Sequence, residues 1–207
     1  PDGLTAKGVM DAYIEAIGGS EKLKGIKTKT TISEASMQGM TIRVSKQQTA
    51  KKQMRVEVSM MGNVMQKMVI NPSGGYNEMQ GQKMDLKGKE FEIALKDADL
   101  FPEMNIDPNK ILLEGIVIVN GKDAYKIKWS DNKSHFYAVD DFLKIQTMET
   151  LKMEGQVQSS TTTFSNYKAV EGILFPHTVQ QDLGPQKVDF QVKSITLNEP
   201  MEDNLFE

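Results

Sequence analysis

From Lys27 onward the apolar residues stop recurring at helical spacing and begin to alternate with polar ones. A period of two is the mark of a strand with one buried face. Met40, Ile42 and Val44 alternate in this way, and so do Met54, Val56, Val58 and Met60. The spacing predicts strands near 28–37, 40–48, 51–61 and 64–71, with turns at Gln38-Gly39 and Gly62-Asn63. After the turn at Gly74-Gly75, weaker strands are expected over 76–80 and 83–86. Further strands are expected at 111–119, 123–130, 134–139, 143–152, 156–167, 176–183 and 187–197. Asn120-Gly121 is the strongest hairpin signal of the chain, because both residues adopt the left-handed conformation that a tight primed turn needs. The other turns fall at Asp140-Asp141, Glu154-Gly155, Glu171-Gly172 and Gly184-Pro185, and Gly115, inside a strand, marks a bulge or bend.

Two segments break this pattern. Val9, Met10, Tyr13, Ile14 and Ile17 recur at helical spacing behind a Thr5 cap, and Gly18-Gly19 closes that helix. Ser20 can cap a further short turn that carries Leu23. In mid-chain, Phe91, Ala94, Leu95 and Ala98 predict a helix from about Lys89 to Leu100, stopped by Phe101-Pro102 and followed by a loop over 101–110. Successive strands joined by short turns favour antiparallel neighbours, and a sheet this long curls. The expected fold is therefore mainly β (α+β): a strongly curved antiparallel sheet or unclosed β-barrel, with an N-terminal helix and a mid-chain helix as lid. No repeat or linker divides the 207 residues, so one domain over 1–207 is expected.

Nine of the fourteen methionines lie between Met37 and Met84, within these strands. Methionine is unbranched and polarizable, so a face lined with it adapts to irregular apolar shapes. It either fills an ordinary sheet core or lines a container for something oily. The expected lining of an apolar cavity is Met40, Ile42, Val44, Met54, Val56, Val58 and Met60 from the strands, with Phe91 and Leu95 from the middle helix. Phe101 and Met104 follow in the loop behind it, where they either gate the cavity or simply dock the helix, and Tyr125, Ile127 and Trp129 share one face of a later strand, where Trp129 either packs the core or lines the cavity.

Chemistry is sparse. The formal charge of −3 argues against a nucleic-acid partner, and the lysines, such as Lys126, Lys128 and Lys144, read as the solvated face of strands. With no cysteine the chain has no disulfide, thiolate nucleophile or cysteine-ligated metal. His135 and His177 stand on different strands without carboxylates at metal-ligand spacing, so partly exposed strand histidines are expected. Asp140-Asp141 reads as a hairpin, and the run Ser159 to Thr163 as a wet strand face without a nucleophile elbow. No catalytic, metal or cofactor site is expected. No stretch approaches the ~20 apolar residues of a membrane span. Pro1-Asp2-Gly3 reads as an arbitrary start, as if an export signal or a preceding domain had been removed.

Several local sequences together resemble the outer-membrane lipoprotein carrier superfamily (LolA/LolB-like). They are the helix from Val9 to Gly19, Ser36-Met37-Gln38-Gly39-Met40, Val119 to Tyr125, Phe136 to Asp140, Glu171 to Pro176 and the closing Ile195-Thr196-Leu197-Asn198. The resemblance spans nearly the whole chain and is nearest to a branch that also occurs as the C-terminal extension of exported insulinase-type zinc peptidases. It implies an unclosed barrel with helices over an apolar cavity, a periplasmic location in a Gram-negative cell, and acyl chains of lipids or lipoproteins as partners. It also allows a peptidase domain in the same parent chain. The arginine by which the carriers couple lid to cargo has no match in the contexts of Arg43 and Arg55, the chain's two arginines. The function expected is a non-catalytic periplasmic binding module for acyl chains; the alternative is an accessory domain of an exported zinc peptidase with no ligand of its own.

Overall fold

Two-residue turns with left-handed backbone set the strand lengths. Gln38-Gly39, Met61-Gly62, Gln80-Gly81, Asn120-Gly121 and Glu171-Gly172 all have positive φ at both positions, the geometry that returns a strand directly onto its neighbour. The computed structural model describes residues 3–153, 156–182 and 187–207, and for 151–153 and 156–158 the backbone alone. The turns expected at Glu154-Gly155 and Gly184-Pro185 lie outside the described residues.

The chain opens with α1 (Ala6–Ile17) and α2 (Ser20–Lys24), then β1 (Thr28–Met37), β2 (Met40–Thr49), β3 (Gln53–Met60), β4 (Asn63–Asn71), β5 (Gly74–Met79) and β6 (Gln82–Asp85). The middle holds α3 (Gly88–Asp97) and α4 (Pro102–Asn105). There follow β7 (Leu112–Val119), β8 (Lys122–Ser130), β9 (Lys133–Ala138), β10 (Lys144–Met153), β11 (Gln156–Val170), β12 (Ile173–Asp182) and β13 (Lys187–Leu197). All described pairings are antiparallel, and the hydrogen-bonded order runs β6-β5-β4-β3-β2-β1-β13-β12-β11-β10-β9-β8-β7. The sheet is unclosed, with β6 and β7 at its two ends. The expected fold class holds.

Some boundaries move, for identifiable reasons. The middle helix ends at Asp97, not Leu100. There the side-chain amide of Gln48 lies 3.1–3.3 Å from the carbonyl oxygens of Asp97, Ala98 and Asp99 and takes the helix end out of register. The loop expected over 101–110 contains α4 and a 3-10 turn at Pro108–Lys110. β12 begins at Ile173 rather than 176, because the Glu171-Gly172 turn is tight and Pro176 still pairs with Tyr167. Gly115 sits at φ 131°, where the β7–β8 register shifts between Leu113 and Gly115, as the bulge reading requires.

Contacts divide the chain into two compact units, Pro1–Lys22 with Glu103–Asp189 and Leu23–Pro102 with Phe190–Glu207. In the first, α1 contacts β12 and buries Val9, Met10, Tyr13 and Ile17. In the second, α3 lies on β4, and a C-terminal 3-10 turn, Asp203–Phe206, packs on β3 and β4. Asn71 donates from its side-chain amide to the Phe206 carbonyl oxygen at 2.7 Å, and buried Phe206 anchors this turn.

The end of α1 lies close against the β11–β12 turn. Gly18 has φ 141°, and a Cβ there would lie 3.0 Å from the Gly172 carbonyl oxygen. Gly18→Ala is therefore expected to cost about 1 kcal/mol or more, from lost glycine freedom plus the steric push on the β11–β12 turn. Chemical denaturation checks this, and a midpoint equal to wild type would refute it.

Candidate functional site

In the second unit the register sorts side chains onto two chemically different faces. Met54 pairs with Gln48 and Ile70, Val56 with Lys46 and Met68, Val58 with Val44 and Gln66, and Met60 with Ile42. Met40 pairs with Met37 at the hairpin end of the same face. The opposite face carries the ion pairs Arg55–Glu57, Lys67–Glu78 and Arg43–Glu34. Helix α3 covers the apolar face at one end: Met54, Ile70 and Ala98 form a buried cluster, against which Val56, Met68, Leu86, Phe91, Ala94 and Leu95 pack. Of the expected lining, Met54, Val56, Phe91 and Leu95 thus come together. Met40, Ile42, Val44, Val58 and Met60 continue the same face and are half-buried. Beyond them, at the hairpin ends, Met61 is 80% exposed, and Val64, Met65, Met79 and Met84 are also exposed.

Helix α3 is attached unevenly. No residue between Gly88 and Asp97 is buried, although Phe91, Ala94 and Leu95 face the sheet. Its C-terminal end, by contrast, is held by buried Gln48 and by Ala98, which is fully enclosed. Phe101, expected as a gate or a helix dock, is buried in this unit with the Lys29 ammonium 5.4 Å from its ring centre. It serves as an anchor.

The first unit holds what the sequence did not reveal. Tyr125, Ile127 and Trp129 do share a face of β8, but that face is paired to His135 and Tyr137 on β9 and continues to Lys144 on β10. Trp129 stacks on the His135 ring at 4.4 Å between centres, and Tyr13 from α1 meets Tyr137 edge-on at 5.2 Å. Into this aromatic layer α4 inserts Glu103, which is 6% exposed. Lys144 Nζ donates to Glu103 Oε1 at 2.6 Å, and the Tyr137 hydroxyl donates to the same oxygen at 3.4 Å. The Tyr137 oxygen lies 3.3 Å from His135 Nδ1. With the hydroxyl proton directed at Glu103, the network assigns the imidazole proton to Nδ1. His135 Nε2 is then a bare acceptor, buried and without a hydrogen-bond partner among the described residues. Met104, expected in the same alternative roles, is the half-buried neighbour of Glu103 on α4.

Two expectations are corrected here. His135 is 5% exposed, not a partly exposed strand histidine, because the Trp129 ring stacks over it and Tyr137 stands beside it. Lys144 is not a solvated strand lysine, because the bulge between Lys144 and Gln146 places it opposite Tyr137, on the buried side, where Glu103 neutralises it. Lys126 and Lys128 do stay at the surface side, paired with Glu114 and Asp131. His177 is half-buried, with Nδ1 3.0 Å from the Phe175 carbonyl oxygen. Asp140 and Asp141 are exposed turn residues, Asp141 accepting from the Leu143 amide. Ser159 is exposed and Ser160 to Thr163 half-buried, as a wet strand face requires. Among the described residues no group of three histidine or acidic side chains could hold a metal ion.

Burial, then the Glu103 carboxylate, push the hydroxyls of Tyr13, Tyr137 and Tyr167 up, so all three stay protonated donors. Burial, then Lys144 and Lys133, hold the His135 imidazole well below its ordinary value, so it stays neutral. The arrangement can donate to or accept from a polar group, but among the described residues no nucleophile stands beside a base with an oxyanion site.

An open antiparallel sheet with amphipathic helices on its apolar face is the class these observations define. No protein-family model and no curated protein sequence matches the chain. Solved structures do. A LolA superfamily protein from Nitrosomonas europaea superposes with a TM-score of 0.63 at 10% identity, over 99% of this chain and 98% of that one. A DUF1329 family protein from Desulfovibrio piger gives 0.61 at 11% identity, over 97% and 96%. A domain assigned to outer membrane lipoprotein sorting in Vibrio parahaemolyticus gives 0.56 at 11% identity, over 95% and 97%. The chain has a LolA-like fold, as the sequence resemblance implied.

Two predictions follow from the polar layer. Removing one member of the Glu103–Lys144 pair leaves an uncompensated buried charge, so Lys144→Met or Glu103→Leu should each cost about 3 kcal/mol. The double variant should recover most of that loss in a double-mutant cycle; additive losses would refute the coupling. For His135, the unfolded chain takes up a proton near pH ~6.5 while the folded chain does not. Stability is thus full above that pH and falls as pH falls below it, and His135→Gln should flatten this slope in denaturation measured between neutral and mildly acid pH.

Proposed function

We propose that this protein is a non-catalytic binding module for the acyl chains of lipids or lipoproteins, working in the periplasm. One observation carries the reading: α3 lies over a methionine-rich strand face with none of its residues buried, yet it is held firmly at its C-terminal end by Gln48 and Ala98. A helix fixed at one end can lift at the other with little loss of packing. An acyl chain inserted beneath it would complete the burial of Phe91 and Leu95 and run along Val56, Val58, Met60, Ile42, Val44 and Met40. Each buried methylene would contribute ~0.8 kcal/mol, so no charged contact is needed. Phe101 would anchor the segment behind α3. The fold shared with the sorting-assigned domain and the LolA superfamily protein supports this reading. Among the described residues no helix is long and apolar enough to cross a membrane.

Native mass spectrometry of freshly purified protein, followed by organic extraction, tests it. A stoichiometric acyl species is expected, or uptake of added fatty acid or lipopeptide by the delipidated protein. Phe91→Asp should keep the fold, since Phe91 is only half-buried, and weaken acyl binding roughly tenfold, about the worth of two methylenes. A clean apo mass, unchanged by added lipid, would overturn the proposal in favour of an accessory domain of an exported zinc peptidase.

A further inference from the structure

We infer that the β7 edge is a self-association site, at which two copies of this chain pair antiparallel. The two ends of the sheet differ in a way that matters for solution behaviour. β6 has four residues, two of them charged, Lys83 and Asp85, and natural sheets blunt their edges in this manner. β7 has eight residues, Leu-Leu-Glu-Gly-Ile-Val-Ile-Val, with a single charge. Among the described residues its only ladder partner is β8, and no backbone hydrogen bond outside the ladder reaches it. Its amide and carbonyl groups on the outer side are a template for another strand.

Three of the apolar side chains of β7 are equally uncovered, while Val119 is buried. Leu112 is 59%, Ile116 52% and Ile118 76% exposed. Ile116 and Ile118 share the Tyr125 face, being paired with Tyr125 and Asp123. On the opposite face Val117 and Val119 border a groove of about 390 Å³ that Phe136, Met148, Lys126 and Gln146 also line. An incoming strand would therefore find exposed apolar side chains on one face of the edge and a groove of mixed polar and apolar lining on the other.

A second copy fits this edge for two reasons. An antiparallel pair is related by a two-fold axis, so one edge complements itself without needing a second evolved surface. The single charge, Glu114, is already neutralised within its own chain by Lys126 at 2.8 Å, so two copies meet without like-charge repulsion. A register with Val117 on the axis places Ile116 of each copy opposite Ile118 of the other, which gathers the four isoleucines on one face. It sets Glu114 opposite Asn120, at the rim.

Sedimentation velocity of the whole chain across the micromolar range tests this directly. A concentration-dependent dimer is expected, and Ile118→Lys should make it monomeric while its circular dichroism and melting temperature stay at wild-type values. The chain has no cysteine, so Ile118→Cys gives a unique thiol. A short bismaleimide should link that variant into dimers, and should leave Met84→Cys, on the β6 edge, monomeric. A wild-type chain that is monomeric throughout, a dimer that survives Ile118→Lys, or equal crosslinking at both edges would each overturn the proposal.

Discussion

A slip of one residue in the pairing of β3 with its neighbours would bring Arg55 and Glu57 under α3 and turn Met54, Val56, Val58 and Met60 out to the ion-paired face. Everything the second unit offers depends on that register. The alternation of side chains across a strand is fixed by geometry, so one set of contacts, Met54 with Ile70 and Ala98, fixes the assignment of the whole row. The tight turns at Gln38-Gly39 and Met61-Gly62 allow no slack that would tolerate a different pairing. The polar face reinforces it, because Lys67 meets Glu78, and Arg43 meets Glu34, only in this register.

The two units solve the same burial problem with different chemistry. In the second, an apolar helix stripe lies on methionines, and the contact is soft: no member of α3 is buried. In the first, α1 and α4 meet a layer of aromatic rings threaded by one carboxylate, one ammonium and one neutral imidazole. A buried ion pair contributes little net stability against an apolar replacement, but it punishes any arrangement that separates the partners. Glu103 therefore acts chiefly as a positional pin for α4. The soft face is suited to accepting variable apolar shapes, and the pinned layer to keeping its own.

Much of the fold was legible in the residues. The hairpins, the N-terminal helix with its Thr5 cap, the bulge at Gly115 and the amphipathic middle helix all follow from local rules, because turn chemistry and side-chain period act over a few residues. The apolar face was legible too, since Met54, Val56, Phe91 and Leu95 do come together. The role of Lys144 was not, and for Phe101 the sequence left gate and helix dock open; it is buried near Lys29. Lys144 stood among strand lysines of the solvated type until a one-residue irregularity in β10 turned it inward.

By itself the sequence determined where strands begin and end, which residues alternate, and that two helices would need an apolar surface. Those are consequences of backbone geometry and of the nearest neighbours in the chain. Only the tertiary structure decided which polar groups meet. Glu103 reaches Lys144 and Tyr137 across 41 and 34 residues, and Gln48 reaches the end of α3 across about 50. No local period encodes such encounters. They are set by the register of many successive strand pairs, each transmitting its offset to the next, and by the burial that makes an unpaired charge or carbonyl too costly to leave alone.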